Sequence, residues 1–184
     1  MEQALVFASI VLGVAVASEL NNLHRLLQSR KVTWHWAQPL YALLTLLTIM
    51  AFWWILARAD LSREITLAGF LPAMWVLVLL NLKAAVALPD TIPEEGVNLA
   101  EYYQDKRRYM WGLYILAFAP MVGFTAIRAA QMANGLGQFI QLAGPDLLGL
   151  ALILLLFFAR GWWLIALGYA GFLTLATVWL FRPI

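Results

Sequence analysis

The chain has 184 residues, 64% of them hydrophobic and only 12% charged, with a mean hydropathy of +0.80 and a formal net charge of +2. Soluble domains average about 45–50% apolar and about 25% charged residues, so this composition excludes an ordinary soluble domain and indicates a membrane protein. The absence of cysteine excludes disulfides, thiolate nucleophiles, Fe–S clusters and Cys-ligated zinc, and the small net charge, without a basic run interleaved with aromatics, points away from nucleic acid.

A membrane span takes about 20 apolar residues to cross about 30 Å of hydrocarbon. The length divides into about six such spans, predicting an all-α polytopic fold in a single integral membrane domain over residues 1–184, three spans on either side of one polar segment. No length remains for a soluble domain.

The first span is expected at about 3–20. Its start resembles a signal peptide ending in Ala15-Val16-Ala17, but Glu2 and the lack of an early cation favour a retained span. Ser9, Gly13 and Ala17 recur every four residues, a ridge of small side chains that predicts close helix packing and an oligomer. Polar residues then recur on nearly every turn as the helix leaves the bilayer: Ser18, Glu19, Asn21, Asn22, His24, Arg25, Gln28, and finally Arg30 and Lys31.

The second span, about 37–58, opens near Pro39, which a first helical turn tolerates. Trp34 and Trp36 at one end and Trp53, Trp54 and Arg58 at the other resemble the aromatic belts of a bilayer interface. A short charged loop with Asp60, Arg63 and Glu64 leads to a third span at about 67–88, carrying Pro72, Asn81 and Lys83.

Residues 89–111 are the one long polar passage. Asp90 to Pro93 reads as a turn and Gly96 as a flexible point. Asn98 followed by Glu101 is the pattern of a capping box, in which Asn98 accepts from the Glu101 amide and Glu101 reaches back, so a helix is expected to start at Leu99. It carries Tyr102, Tyr103 and the cations Lys106, Arg107 and Arg108 into a fourth span at about 109–131, which Pro120 is expected to kink. The loop with Gly135 and Gly137 should be turn-like, with Pro145 just inside a fifth span at about 145–159. Arg160-Gly161 then makes a tight turn into a sixth span at about 162–181.

Orientation follows from cations in short loops. With both termini outside, the cytoplasmic side holds Arg25, Arg30, Lys31, Lys106, Arg107, Arg108 and Arg160, seven cations against the four outside: Arg58, Arg63, Arg128 and Arg182. This places the central segment in the cytoplasm. Three spans per half would make any internal repeat an inverted one, as in many transporters, but the halves share little beyond an aromatic-then-arginine close.

Ionisable groups at bilayer depth cost about 2.5–3.5 kcal/mol each on insertion scales and are functional candidates by default. Glu19 and Lys83 sit at the cytoplasmic ends of their spans. They either pair across helices or remain wet, with Lys83 snorkelling to the interface. Glu19, Asn22, His24 and Lys83 are candidates for a polar vestibule in which His24 titrates near neutral pH; a solvated helix extension explains the same letters.

His24 and His35 stand 11 positions apart, with no HxxH or HExxH, so neither a resident metal nor another cofactor is expected. Haem or quinone near either histidine is the minor alternative. The acidic residues Asp90, Glu94, Glu95, Glu101 and Asp105 read as a solvated loop surface, and Arg128 is placed to pair with Asp146. Asn98, Glu101, Tyr102, Tyr103, Arg107 and Arg108 are candidates for a docking face.

Leu88-Pro89-Asp90, Asn98-Leu99, Tyr102-Tyr103 and Arg107-Arg108-Tyr109, with His35-Trp36 and Phe52-Trp53-Trp54, resemble a widespread family of small bacterial multi-pass membrane proteins of unassigned function. The likeness covers about the first 115 residues and carries no activity. It implies a bacterial inner membrane. Asn98 stands where that pattern tends to have Asp, and either residue caps a helix.

Three functions are compatible with these features. The first is a small transporter or channel, or a subunit of one. The second is an accessory or assembly subunit of a larger membrane complex, which nine Trp and ten Phe would help to dock. The third is an intramembrane redox protein. The expected partners are the lipid bilayer and further copies or other membrane subunits.

Overall fold

Six helices and one two-residue strand pair are found among residues 2–58 and 67–180, the part of the chain that the computed structural model describes. They are α1 (Glu2–Gln28), β1 (Val32–Thr33), α2 (Ala37–Arg58), α3 (Leu67–Ala87), β2 (Val97–Asn98), α4 (Leu99–Met132), α5 (Leu136–Phe158) and α6 (Trp162–Leu180). Five helices contain stretches long and apolar enough to cross a membrane: Leu5–Gln28, Ala37–Arg58, Gly69–Ala87, Leu99–Met132 and Leu136–Phe158. The fold is all-α and multi-pass in character. Asp60, Arg63 and Glu64, and likewise Phe181 and Arg182, lie outside the described residues.

The chain divides into two compact units, residues 1–106 and 107–184, with the division inside α4. In the first unit the buried seam of α1 is Ala8, Leu12, Ala15, Glu19, Asn22 and Leu26. The alternating steps of four and three keep this seam on one side of the helix. Its apolar part packs with Ile49 of α2 and with Leu77, Leu80 and Ala84 of α3.

The small-residue ridge expected to pack is not this seam. Gly13 and Ala17 are exposed, and a Cβ on Gly13 would meet nothing within 4 Å. The seam one position away supplies its own small residues in Ala8 and Ala15, and it alone continues into Glu19 and Asn22, which gain most from leaving lipid. The Asn81 amide donates to the Val11 carbonyl at 3.2 Å, joining α3 to α1 on the same side.

The connector after α1 is stitched to the central segment. β1 and β2 pair in parallel, Val32 with Val97 and Thr33 with Asn98, and the Val97 amide donates to the Lys31 carbonyl at 2.9 Å. Gly96 lies beneath this pair with a φ of 93°, and a Cβ there would sit 2.5 Å from the Lys31 carbonyl oxygen. Both the backbone conformation and the close approach require glycine.

α4 starts at Leu99 as expected, with a different cap. Asn98 Oδ1 accepts from the Ala100 amide at 3.0 Å, and Asn98 Nδ2 donates to Glu101 Oε1 at 3.0 Å. The side-chain amide of asparagine is itself a donor, and it occupies the carboxylate that a capping box directs to the backbone.

In the second unit Trp111 and Tyr114 of α4 stack at 5.1 Å and meet Tyr169 and Phe172 of α6 edge-on, at 5.6 Å for Trp111–Tyr169 and 6.1 Å for Tyr114–Phe172. α6 approaches α5 through glycine: a Cβ on Gly168 would lie 2.7 Å from the Leu156 side chain, and one on Gly171 would lie 3.0 Å from Leu152. Rings fill the α4–α6 space, and missing side chains let α5 and α6 close.

α5 begins at Leu136, earlier than the expected 145, so Pro145 lies well inside it. Gln138 Oε1 accepts from the Asn134 amide at 2.9 Å and satisfies one donor at the helix start. The two glycines of the expected loop thus become the N-cap, Gly135, and the first turn, Gly137. Arg128 does not pair with Asp146: its guanidinium lies over the Phe124 ring, 5.3 Å from the centroid and one turn back on the same helix. Pro120 lies within α4, which runs unbroken from Leu99 to Met132.

Candidate functional site

The C-terminal end of α3 is where the polar groups of the first unit converge. A helix leaves its last four carbonyls without intrahelical donors, and in an apolar bundle each must be supplied by a side chain. Tyr102 of α4 donates to the Val86 carbonyl at 3.1 Å, the Gln38 amide of α2 donates to the Ala87 carbonyl, and Asn22 Nδ2 of α1 lies 3.5 Å from the Leu88 carbonyl. Past the helix end, Arg25 donates to the Asp90 carbonyl at 3.0 Å and Lys31 Nζ to the Glu94 carbonyl at 2.8 Å. Segments from three other helices and the connector therefore close one helix terminus. The two cations take backbone carbonyls, which leaves the Asp90, Glu94 and Glu95 side chains exposed.

One turn inside this cap two ionisable side chains are buried, Glu19 of α1 and Lys83 of α3. Lys83 is 0% and Glu19 1% exposed, and each lies in the other's electrostatic field. Neither Glu19 carboxylate oxygen has a hydrogen-bond partner among the described residues, and the buried Thr45 Oγ1 on α2 has none either. Buried carboxyl groups ordinarily have their oxygens satisfied by donors. Glu19 lacks them, and the orphaned buried acceptors give this place chemical capacity beyond packing.

Of the four vestibule candidates, Glu19, Asn22 and Lys83 are buried at this end of the first unit, and His24 is exposed on α1. The reason is the helix repeat: His24 falls two positions after Asn22, off the seam of Glu19, Asn22 and Leu26. His35 lies in the connector, where its Nδ1 is 3.4 Å from the Ala37 amide and its ring 5.4 Å from that of Trp36. Partial burial lowers its pKa from the usual 6.5.

The expected docking face of α4 is split by burial. Glu101 and Arg108 are exposed and Asn98 and Tyr102 half-buried, while Tyr103 is buried at 0% and Arg107 at 3% exposure. Arg107 turns inward in the second unit and donates to the Ala159 carbonyl just after α5. A cation at a helix C-terminus is favourable both as a donor and against the dipole, so the guanidinium is drawn in while Lys106 and Arg108 stay outside.

Sequence reasoning missed Gln38, Thr45 and the cap made by Arg107. Gln38, Ala42, Thr45 and Ile49 recur at steps of four, three and four, so two polar residues on an otherwise apolar stripe of α2 were the available signal. Among the described residues no three of His, Asp and Glu group as metal ligands would. Comparisons with protein-family models, curated proteins and solved structures find no match for this chain.

Proposed function

We propose that this is a small multi-pass protein of a bacterial plasma membrane that moves an ion or small solute, using Glu19 and Lys83 as the groups the passing species engages. The observation that carries this reading is the Glu19 carboxyl group: buried within an apolar helix bundle, in the electrostatic field of Lys83, and with neither oxygen hydrogen-bonded among the described residues. Ionisable residues within membrane spans are rare, and they mark ion, substrate and proton pathways. Thr45 adds a hydroxyl on the neighbouring helix that is likewise buried without a partner. The cation distribution supports an orientation with both termini outside and the α3 cap on the cytoplasmic side.

The test is a flux assay on sealed proteoliposomes with an imposed pH or salt gradient. Wild type is expected to dissipate the gradient, and Glu19→Gln and Lys83→Met to slow it by tenfold or more, about 1.4 kcal/mol or beyond in barrier height. No movement of any tested ion, or variants indistinguishable from wild type, overturns the reading.

A second reading, an accessory subunit of a larger membrane complex, is favoured by one observation. At 1% and 0% exposure Glu19 and Lys83 are closed off by the chain's own described residues. Mild detergent extraction discriminates: stoichiometric co-purification of other membrane proteins supports the accessory role, and a solitary monodisperse species counts against it.

A further inference from the structure

A shallow groove of about 340 Å³ in the second unit lies between α4 and α5, lined by Arg108, Tyr109, Gly112, Leu113, Leu116 and Phe157 among others. Its chemistry is sorted from end to end. Arg108, Gly112 and Leu116 follow at intervals of four, so they form one row along α4. The groove itself is almost wholly apolar, and the exposed Arg108 and Tyr109 stand at one end of it. Gly112 forms the floor: a Cβ there would be 3.6 Å from the Phe157 ring, and any larger side chain would occupy the groove.

Arg107, the residue before Arg108, donates to the Ala159 carbonyl just after α5, and its exposed neighbour Arg108 leaves α4 in another direction. Arg108 is exposed and has no hydrogen-bond or ion-pair partner among the described residues, while Lys106 beside it is engaged with Asp105 at 3.2 Å. From Arg108 to Leu116 the helix rises about 12 Å, most of the about 15 Å of hydrocarbon in one leaflet.

We propose that this groove is a binding site for an anionic phospholipid, with the phosphate at Arg108 and Tyr109 and one acyl chain lying over Gly112 against Leu116 and Phe157. Charge complementarity selects the occupant. Arginine is the residue suited to a phosphate oxygen pair, the apolar remainder of the groove suits an acyl chain, and basic residues at the cytoplasmic surface attract anionic headgroups. The site is independent of Glu19 and Lys83, so its failure and that of the transport reading are separate.

The experiment is native mass spectrometry of the full chain released from nanodiscs of phosphatidylcholine doped with phosphatidylglycerol. One phosphatidylglycerol retained per chain in preference to phosphatidylcholine is expected. Arg108→Ala should weaken that retention about fivefold, the loss of one basic contact near a membrane surface. Gly112→Leu should abolish it by filling the floor, and Arg128→Ala, on the same helix but over Phe124, should leave it unchanged. Because Gly112→Leu also presses on Phe157, Arg108→Ala, which removes only an exposed side chain, keeps the test decisive if that variant fails to fold. Equal retention of both lipids, or an Arg108→Ala protein that binds as wild type does, overturns the site.

Discussion

The two units end their helices in opposite ways. In the first, the terminus of α3 is closed by Tyr102, Gln38 and Asn22, with Arg25 and Lys31 holding the segment beyond it. In the second, the carbonyl after α5 receives one guanidinium, from Arg107. The difference follows from what comes next in the chain. After α5 the backbone turns within three residues into α6, whereas after α3 it passes through an eleven-residue polar stretch, 88–98, before α4 begins. A tight turn needs one cap. A longer polar segment held against a bundle needs a donor for each carbonyl it presents, and those donors come from every element within reach. The first unit therefore concentrates buried polar groups: Glu19, Asn22, Gln38, Thr45 and Lys83 are buried there.

The change expected to disturb this contrast most is Lys83→Met, which removes the ionisable group whose field acts on the buried Glu19 carboxyl. Breaking a buried pair by removing one partner typically costs about 3–5 kcal/mol, whereas replacing both partners with neutral groups is often close to neutral. Unfolding in mixed detergent should show Lys83→Met strongly destabilised and the double variant with Glu19→Gln recovering most of the loss. If the single and double variants unfold alike, the two groups are not coupled, and the first unit is no more dependent on buried charge than the second.

Arg107→Met sharpens the comparison from the other side. The methionine retains much of the arginine's apolar bulk and removes the donor to the Ala159 carbonyl. Loss of a hydrogen bond to a charged group corresponds to about 1.5–3 kcal/mol. The loss should register in the second unit alone. Hydrogen exchange of α5 and α6 amides checks this: faster exchange there, with α1 to α3 unchanged, is the expected pattern, and uniform acceleration of all six helices contradicts it.

The helices were legible because their signal is additive: about 20 apolar residues in a row outvote any single breaker. The start of α5 was not, because Gly135, Gly137 and Pro145 read locally as a turn, and the Gln138 side chain that satisfies the Asn134 amide is a single interaction within a run of ambiguous residues. Glu19, Asn22 and Lys83 stood out as polar letters in apolar spans. Which face of α1 would be buried did not, since Ser9-Gly13-Ala17 and Ala8-Leu12-Ala15 are both plausible seams and only the position of α3 decides between them. The inward turn of Arg107 was hidden for a related reason: in a run of three cations, sequence alone does not show which one faces a carbonyl from another helix.

The smallest expected effect tests the connector that the two-residue strands hold in place. His35 is half-buried, and burial lowers its pKa from 6.5, so the folded chain favours the neutral ring. Its contribution to stability is therefore complete above the unfolded value of 6.5 and is lost as pH falls through the lower folded value. A neutral ring with Nδ1 free of a proton also accepts from the Ala37 amide at 3.4 Å, the first amide of α2, and protonation removes that acceptor. Stability measured from pH 8 to pH 5 should thus decline more in wild type than in His35→Ala, with the difference between the curves confined to the acidic half of the range. If the wild-type and His35→Ala curves decline in parallel, the connector takes no part in the titration.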